Sequence, residues 1–286
     1  MEIENVFVGG AGLMGHGIAQ VFAASGRNVT LYEPDVSRAD HGRERIGANL
    51  ERLVQRDRLS ATQRDEILAR IHPTDDIGSA ASADLVVEAV FEDPAVKQSF
   101  WSSIDAAAKP DAILASNTSS ISIDRLAEAV AAERRERFVG MHFFSPVPVM
   151  PLVELVRGSA TSDEVADKIR QVSAELDKQV IVSTDRPGFL VNRMLMPFLA
   201  EAMRTFEEGT GTADDIDAGA KVGLNHPMGP LALADFIGLD VCRNIMLVLH
   251  DGLGGEHFRP PRILDELVEA GHLGQKTGRG FHSYPR

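Results

Sequence analysis

An α/β domain followed by an all-α domain is the architecture this sequence predicts, and the prediction rests on the order of its hydrophobic patterns. Short apolar runs that read as buried strands alternate with stretches of helical periodicity as far as Asp185. A glycine triplet stands between the first of those runs and the first helical stretch. Beyond Asp185-Arg186-Pro187-Gly188 the alternation stops and only helical patterns remain. Alternating strands and helices point to a parallel sheet with crossover helices, whereas an unbroken series of helices points to a separate domain. The boundary is therefore set after Arg186, giving domains 1–186 and 187–286.

The opening stretch, Met1 to Glu33, carries the pattern of one βαβ unit. Val6-Phe7-Val8 reads as a buried strand, Gly10-Ala11-Gly12-Leu13-Met14-Gly15 as a tight turn entering a helix, and Asn28-Val29-Thr30-Leu31-Tyr32 as the next strand, closed by Glu33. Gly10 permits the sharp turn, Gly12 lets the backbone approach a pyrophosphate, and Gly15 lets helix and strand pack closely. The unpaired N–H groups of the helix N-terminus add positive potential. A glycine loop alone merely turns the chain. The strand before it, the helix after it and an acid 18 residues past Gly15 make this one a Rossmann-type dinucleotide site. The Glu33 carboxylate is suited to accept hydrogen bonds from an adenosine ribose diol and to repel a 2'-phosphate, which favours NAD over NADP. Arg27 and Arg38 are the cations that would soften that preference.

From Asp35 to Arg58 apolar residues recur at helical spacing, with Pro34 and Asp35 as start signals, and a second helix from Ala61 to Arg70 returns toward the sheet. Leu85-Val86-Val87, ending at Glu88, is a continuous apolar run suited to a strand covered on both faces. Glu92 and Lys97 follow in a loop and a helix start. Ile113-Leu114-Ala115 makes another strand, Ser116-Asn117-Thr118-Ser119-Ser120 a polar cluster, and Ile121 to Ala132 a helix. The cluster reads either as a helix N-cap region or as part of an active site, since open α/β sheets bind ligands at the carboxyl ends of their strands. Phe138 to Phe144 and Leu152 to Val156 read as strands joined by the loop Ser145-Pro146-Val147-Pro148; Asp163 to Leu176 is helical and Val180-Ile181-Val182 a last strand.

In the second domain Phe189 to Glu208 is nearly apolar on every side, so a helix buried by several neighbours and kinked at Pro197 is expected. Asp214 to Val222, Pro230 to Phe236, Leu239 to His250 and Ile263 to Ala270 are the remaining helices, and Leu273 to Tyr284 is a glycine-rich tail. So much apolar helix suits either a subunit interface or the core of a helical monomer.

Composition narrows the function. With 286 residues, 44% apolar and 25% charged, the chain can bury a sizeable core. Its net charge of −13 argues against general affinity for nucleic acid or an anionic membrane, so a polyanionic ligand would need a local basic patch. Arg45, Arg52 and Arg56, seven and four residues apart, share one face of a predicted helix and are either solvated charge or such a patch. The single cysteine, Cys242, excludes an internal disulfide and a cysteine metal cluster and reads as a buried thiol; no metal site is expected. With no basic-plus-apolar leader ahead of Glu4 and no long uncharged apolar stretch, a cytoplasmic location without membrane association is expected.

Hydride leaves an alcohol readily only if the hydroxyl proton leaves too, so a dehydrogenase lacking a metal or a tyrosine base needs another proton acceptor. A lone histidine is more often a core residue, and the sequence has nine. His142 stands apart by context. It lies in a strand beyond the dinucleotide site, and Glu154, twelve residues on in the following strand, is suited to order its tautomer and stabilise the imidazolium.

The stretches Gly10-Ala11-Gly12-Leu13-Met14-Gly15, Ser116-Asn117-Thr118-Ser119-Ser120, Met141-His142-Phe143-Phe144-Ser145-Pro146, Pro187-Gly188-Phe189-Leu190-Val191-Asn192-Arg193, His226-Pro227-Met228-Gly229-Pro230 and Gly278-Arg279-Gly280-Phe281 carry a likeness that runs almost end to end. On them the chain resembles the short-chain L-3-hydroxyacyl-CoA dehydrogenases, most closely their bacterial 3-hydroxybutyryl-CoA branch. The resemblance implies that His142 is the general base and Glu154 its partner, and that Ser119 and Asn192 contact the 3-oxygen and the acyl thioester. It implies that Glu92 and Lys97 touch the nicotinamide ribose side of NAD, with Leu13, Met14 and Asn117 as further cofactor contacts. Arg52 and Arg56 would hold the coenzyme A phosphates, where the family shows lysines. Ser145 stands where the family usually has asparagine, Pro151 where lysine is common, and Glu33 where aspartate is more frequent. The activity implied is NAD-dependent interconversion of (S)-3-hydroxyacyl-CoA and 3-oxoacyl-CoA, short chains favoured, by a homodimer. The alternatives are a relative acting on 3-hydroxyadipyl-CoA and a dinucleotide-binding sensor without turnover, against which the joint presence of Ser119, His142, Glu154 and Asn192 argues.

Overall fold

The computed structural model describes residues 2–285, so the outermost residues of the two expected domains, Met1 and Arg286, lie outside the described residues. The chain forms two compact units, Met1–Arg186 and Pro187–Arg286. The first is α/β and the second helical, the expected fold class.

In chain order the first unit runs β1 (Asn5–Gly9), α1 (Leu13–Ala24), β2 (Asn28–Tyr32), α2 (Val36–Val54), α3 (Ala61–Ala69), β3 (Ile71–Thr74), β4 (Leu85–Glu88), α4 (Pro94–Ala107), β5 (Ile113–Ser116), α5 (Ile123–Ala127), β6 (Phe138–Phe143), β7 (Leu152–Arg157), α6 (Asp163–Glu175) and β8 (Gln179–Thr184). The sheet order is β3-β2-β1-β4-β5-β6-β7-β8, parallel at every pairing except that of β6 with β7. The chain winds outward from β1 to β3 and then returns to the other side of β1. The winding therefore reverses between β1 and β4, and a crevice opens at their carboxyl ends. Phe7, Val8, Leu85, Val86 and Val87 have no exposed surface, as strands covered by helices on both faces require.

Side-chain caps set most helix starts: Asp35 for α2, a capping box of Ser60 and Gln63 for α3, Asp93 for α4, Ser122 for α5 and Ser162 for α6. In this unit two helices end short of expectation and one strand was not foreseen. The helix expected to Arg58 ends at Val54, because Asp57 takes a left-handed φ of 54° and the Asp57 and Arg58 N–H groups bond back to Val54 and Leu53 in a Schellman turn. Arg56 thus lies in a turn rather than on the helix. The helix expected over Ile121 to Ala132 is only α5; a 3-10 turn, Ala132–Arg137, follows, where the buried Arg134 guanidinium donates to the Asp105, Ala108 and Lys109 carbonyls at the end of α4. β3 has no counterpart in the sequence reading. It carries Pro73, which has no N–H to donate, and a proline is accommodated there because β3 is an edge strand.

The second unit consists of α7 (Val191–Glu207), α8 (Ala213–Ala218), α9 (Pro230–Ile237), α10 (Leu239–Leu253) and α11 (Arg262–Glu269) around a core that includes Met196, Leu199, Met203, Leu231, Leu239, Cys242, Met246, Leu249 and Leu264. The expectation that α7 is buried all round is corrected. Asn192, Met196, Leu199, Ala200, Ala202 and Met203 form a buried stripe, while Arg193, Met194 and Glu201 are exposed, so one apolar face suffices to anchor it. Burial pushes the Cys242 thiol up to about 12, which makes it an inert core residue. The tail is not loose. Asp235, buried in α9, accepts from Phe281 N, His282 N and Tyr284 Oη at 2.9 to 3.0 Å, and Asp217 accepts from Leu231 N and Ala232 N at the start of α9. Among the described residues no helix is long and apolar enough to cross a membrane.

Candidate active site

The glycine turn lies at the carboxyl end of β1, beside the crevice. Gly10 has a φ of +99°, its N–H donates to Tyr32 O at 2.8 Å, and a Cβ there would overlap the Ala89 carbonyl. A Cβ on Gly15 would overlap the Gly10 carbonyl, so helix and strand approach as closely as backbones can. Gly12 differs: it faces open space. It is also the N-cap of α1, and no side chain caps that helix end. An open cradle of backbone beside uncapped helical N–H groups fits a pyrophosphate. At the end of β2, Glu33 Oε1 accepts from Ala11 N at 2.8 Å, which holds its carboxylate against the same turn.

A second polar group spans the carboxyl ends of β4 and β5. Glu88, fully buried, accepts from Lys97 Nζ at 2.5 Å and Val90 N at 2.9 Å through Oε1, and from Ser116 Oγ at 2.6 Å through Oε2. Lys97 is 1% exposed and reaches Glu92 Oε2 at 2.9 Å as well. Glu92, whose side chain is 36% exposed, accepts through Oε1 from Thr118 Oγ1 at 2.6 Å, Ser119 N at 2.9 Å and Ser120 Oγ at 3.1 Å. Burial pushes the Glu88 carboxyl above its ordinary range despite the Lys97 ammonium. Burial acts the same way on Glu92, but Lys97 and the Thr118 and Ser119 donors outweigh it and hold Glu92 below that range. For Lys97 burial opposes the charge, and the two carboxylates overcome it and raise its pKa.

The third group is carried by β6 and β7. Their antiparallel register sets His142 directly opposite Glu154, and Nδ1 lies 3.0 Å from Oε2. His142 is 6% exposed and Glu154 fully buried. Asn117 Oδ1 accepts from Phe143 N at 2.8 Å, tying the polar cluster after β5 to the residue beside His142. Lys178 Nζ donates to Val147 O at 2.7 Å and Met150 O at 2.8 Å, bracing the loop that joins β6 to β7; Ser145 and Pro151 are exposed on that loop.

Of the residues singled out from sequence, these three groups bring together Gly10, Gly12, Leu13, Met14, Gly15 and Glu33; then Glu92, Lys97, Asn117 and Ser119; then His142 and Glu154. Arg52 and Arg56 are exposed in and after α2, outside these groups, and Asn192 belongs to the second unit, buried in the first turn of α7. Glu88, Ser116 and Thr118 were not individually foreseen. The signal for Glu88 is a carboxylate that ends a doubly buried strand, where an acid must find a cation.

Residues 5–186 match the model of the 3-hydroxyacyl-CoA dehydrogenase NAD binding domain, and residues 188–284 that of the 3-hydroxyacyl-CoA dehydrogenase C-terminal domain. Over 282 residues the sequence is 48% identical to the 3-hydroxybutyryl-CoA dehydrogenase of Bradyrhizobium diazoefficiens, an alignment spanning 99% of this chain and 96% of that protein. Two solved structures align over 100% of both chains. They are FadB2 of Mycobacterium tuberculosis, 43% identical with a TM-score of 0.97, and the (S)-3-hydroxybutyryl-CoA dehydrogenase PaaH1 of Ralstonia eutropha, 41% identical with a TM-score of 0.96.

Proposed function

The chain belongs to the 3-hydroxyacyl-CoA dehydrogenase family, and from that premise we propose that it interconverts short-chain (S)-3-hydroxyacyl-CoA and 3-oxoacyl-CoA, 3-hydroxybutyryl-CoA and acetoacetyl-CoA above all. NAD is its cofactor and, when bound, supplies or accepts the hydride. The reading is carried by one observation, the buried His142 and Glu154 pair at 3.0 Å.

With Nδ1 donating to Glu154, Nε2 is the nitrogen of His142 that takes the substrate hydroxyl proton in oxidation and returns it to the 3-oxygen in reduction. The Glu154 carboxylate holds that tautomer and stabilises the imidazolium. Ser119 and Asn192 donate to the 3-oxygen and the thioester carbonyl, where negative charge gathers. The turn Gly10 to Gly15 and the start of α1 hold the pyrophosphate, Glu33 the adenosine ribose, and Glu92 the nicotinamide ribose. Arg52 and Arg56 pair with the coenzyme A phosphates, which gives an acidic protein the local basic patch that a polyanionic thioester needs. Ser145 and Pro151 adjust acyl preference. The enzyme acts in the cytoplasm as a homodimer through its second unit, a reading supported by the exposed Met194, Val222, Leu224 and Phe236.

The test is a steady-state panel of 3-oxoacyl-CoA lengths with NADH and NADPH. The expected result is the highest kcat/KM for acetoacetyl-CoA with NADH, and an Arg52→Glu variant that raises KM for the thioester but not for NADH. A preference for long or dicarboxylyl chains would overturn the short-chain reading.

A further inference from the structure

Glu88 takes no part in the proton transfer above, yet its fully buried carboxylate lies at the carboxyl end of β4, against the crevice where the winding reverses. Both of its oxygens are engaged: Lys97 Nζ and Val90 N donate to Oε1, Ser116 Oγ to Oε2. Lys97, between Glu88 and Glu92, spends its ammonium on two carboxylates and has only 1% of its surface exposed, so it offers a ligand almost nothing directly. Glu92 is the member of the trio that reaches solvent, and Ser119 donates its backbone N–H to it. Two carboxylates and one ammonium leave one negative charge, and Glu92 presents it. A ribose hydroxyl is a donor suited to that carboxylate.

We propose that Glu88 is a positioning residue for the dinucleotide: its carboxylate holds the Lys97 ammonium beneath the loop, and Lys97 in turn fixes Glu92, which meets a ribose hydroxyl and orients Ser119. Lys97, which bridges Glu88 and Glu92, then also positions the loop. The proposal rests on the reading above that Glu92 faces the cofactor.

The full-length enzyme carrying Glu88→Gln or Glu88→Asp separates charge from shape. Glutamine keeps the size of the side chain and can still accept from Val90 N through its single oxygen, with the Ser116 hydroxyl turned to accept from its NH2, but loses the charge; aspartate keeps the charge and leaves a methylene-sized gap. If Glu88 acts by holding the ammonium, Glu88→Gln raises KM for NADH about tenfold, by more than it lowers kcat, while Glu88→Asp raises it less. A residue needed only for packing gives the reverse order, because the gap in aspartate is then the larger fault. Equal losses, or a greater loss in aspartate, overturn the proposal. Should Glu88→Gln fail to fold, the double variant Glu88→Gln, Lys97→Met removes both buried charges and is expected to fold with the NADH KM of Lys97→Met alone. A double variant weaker than Lys97→Met overturns the proposal as well. Glu92→Gln tests the premise separately: an unchanged NADH KM there sinks the cofactor reading of Glu92, whereas a raised one together with a normal Glu88→Gln sinks only the role of Glu88.

Discussion

Replacing Glu154 with glutamine removes the charge beside the proposed base, His142, while keeping the volume of a side chain that has no exposed surface. Two losses follow. A hydrogen bond to a charged acceptor contributes about 1.5–3 kcal/mol and a neutral one about 0.5–1.5, so the Nδ1 bond weakens by about 1 kcal/mol. The imidazolium formed during oxidation also loses its counter-charge across the 3.0 Å bond. At an effective dielectric near 20 a pair of unit charges about 4 Å apart attracts by about 4 kcal/mol. The amide can in addition turn its NH2 toward Nδ1 and hold the wrong tautomer. Because each 1.36 kcal/mol is a decade in rate, kcat should fall between about fivefold, if only the weakened bond counts, and about 1,000-fold, if the full counter-charge is lost, with NADH affinity near wild type. His142→Ala should fall by about two to four orders of magnitude, the usual worth of a positioned base. The decisive measurement is acetoacetyl-CoA reduction, followed at the NADH absorbance band, in the double variant. If Glu154 acts only through His142, adding Glu154→Gln to His142→Ala costs nothing further. A double variant that loses the full Glu154→Gln factor again would refute the action of Glu154 through His142.

The glycine turn offers a contrast between fold and ligand. Gly12→Ala meets open space and should change stability by less than about 0.5 kcal/mol, yet weaken NADH binding about tenfold, whereas Gly15→Ala drives a methyl into the Gly10 carbonyl and should cost at least about 2 kcal/mol in denaturant unfolding. Asp84 tests linkage: burial pushes its carboxyl up, but Lys109 and the Glu4 and Asn5 N–H groups outweigh this and hold it below the usual range. A lowered folded pKa stabilises fully above the ordinary carboxylate value and less as pH falls through the lowered one. Asp84→Asn should therefore cost about 1–3 kcal/mol near pH 7, and its gap from wild type should close as pH falls through the lowered pKa; a constant gap would contradict the ion pair. Asp235→Ala strands two N–H groups and the Tyr284 hydroxyl and should cost about 3 kcal/mol, read by urea unfolding.

The amino-acid order alone determined what is local. The glycine triplet, the helix it opens and the acid closing β2 are adjacent in the chain, and their geometry follows from backbone sterics that Gly10 and Gly15 alone relieve. Apolar runs such as Leu85 to Val87 announced strands covered on both faces because burial is written in composition. His142 and Glu154 were legible as candidates, since twelve residues suffice for a strand, a loop and a return. Whether they meet was decided by register: a slip of one residue between β6 and β7 would turn Glu154 to the opposite face of the sheet. The partnership of Glu88 with Ser116 depends on β4 and β5 being neighbours, β3 tolerates Pro73 only because it is an edge, and the tail is held by Asp235 more than forty residues earlier. Such pairings join groups far apart in sequence, and strand order and register bring them together through the free energy of the whole sheet and core, which no short stretch of chain contains.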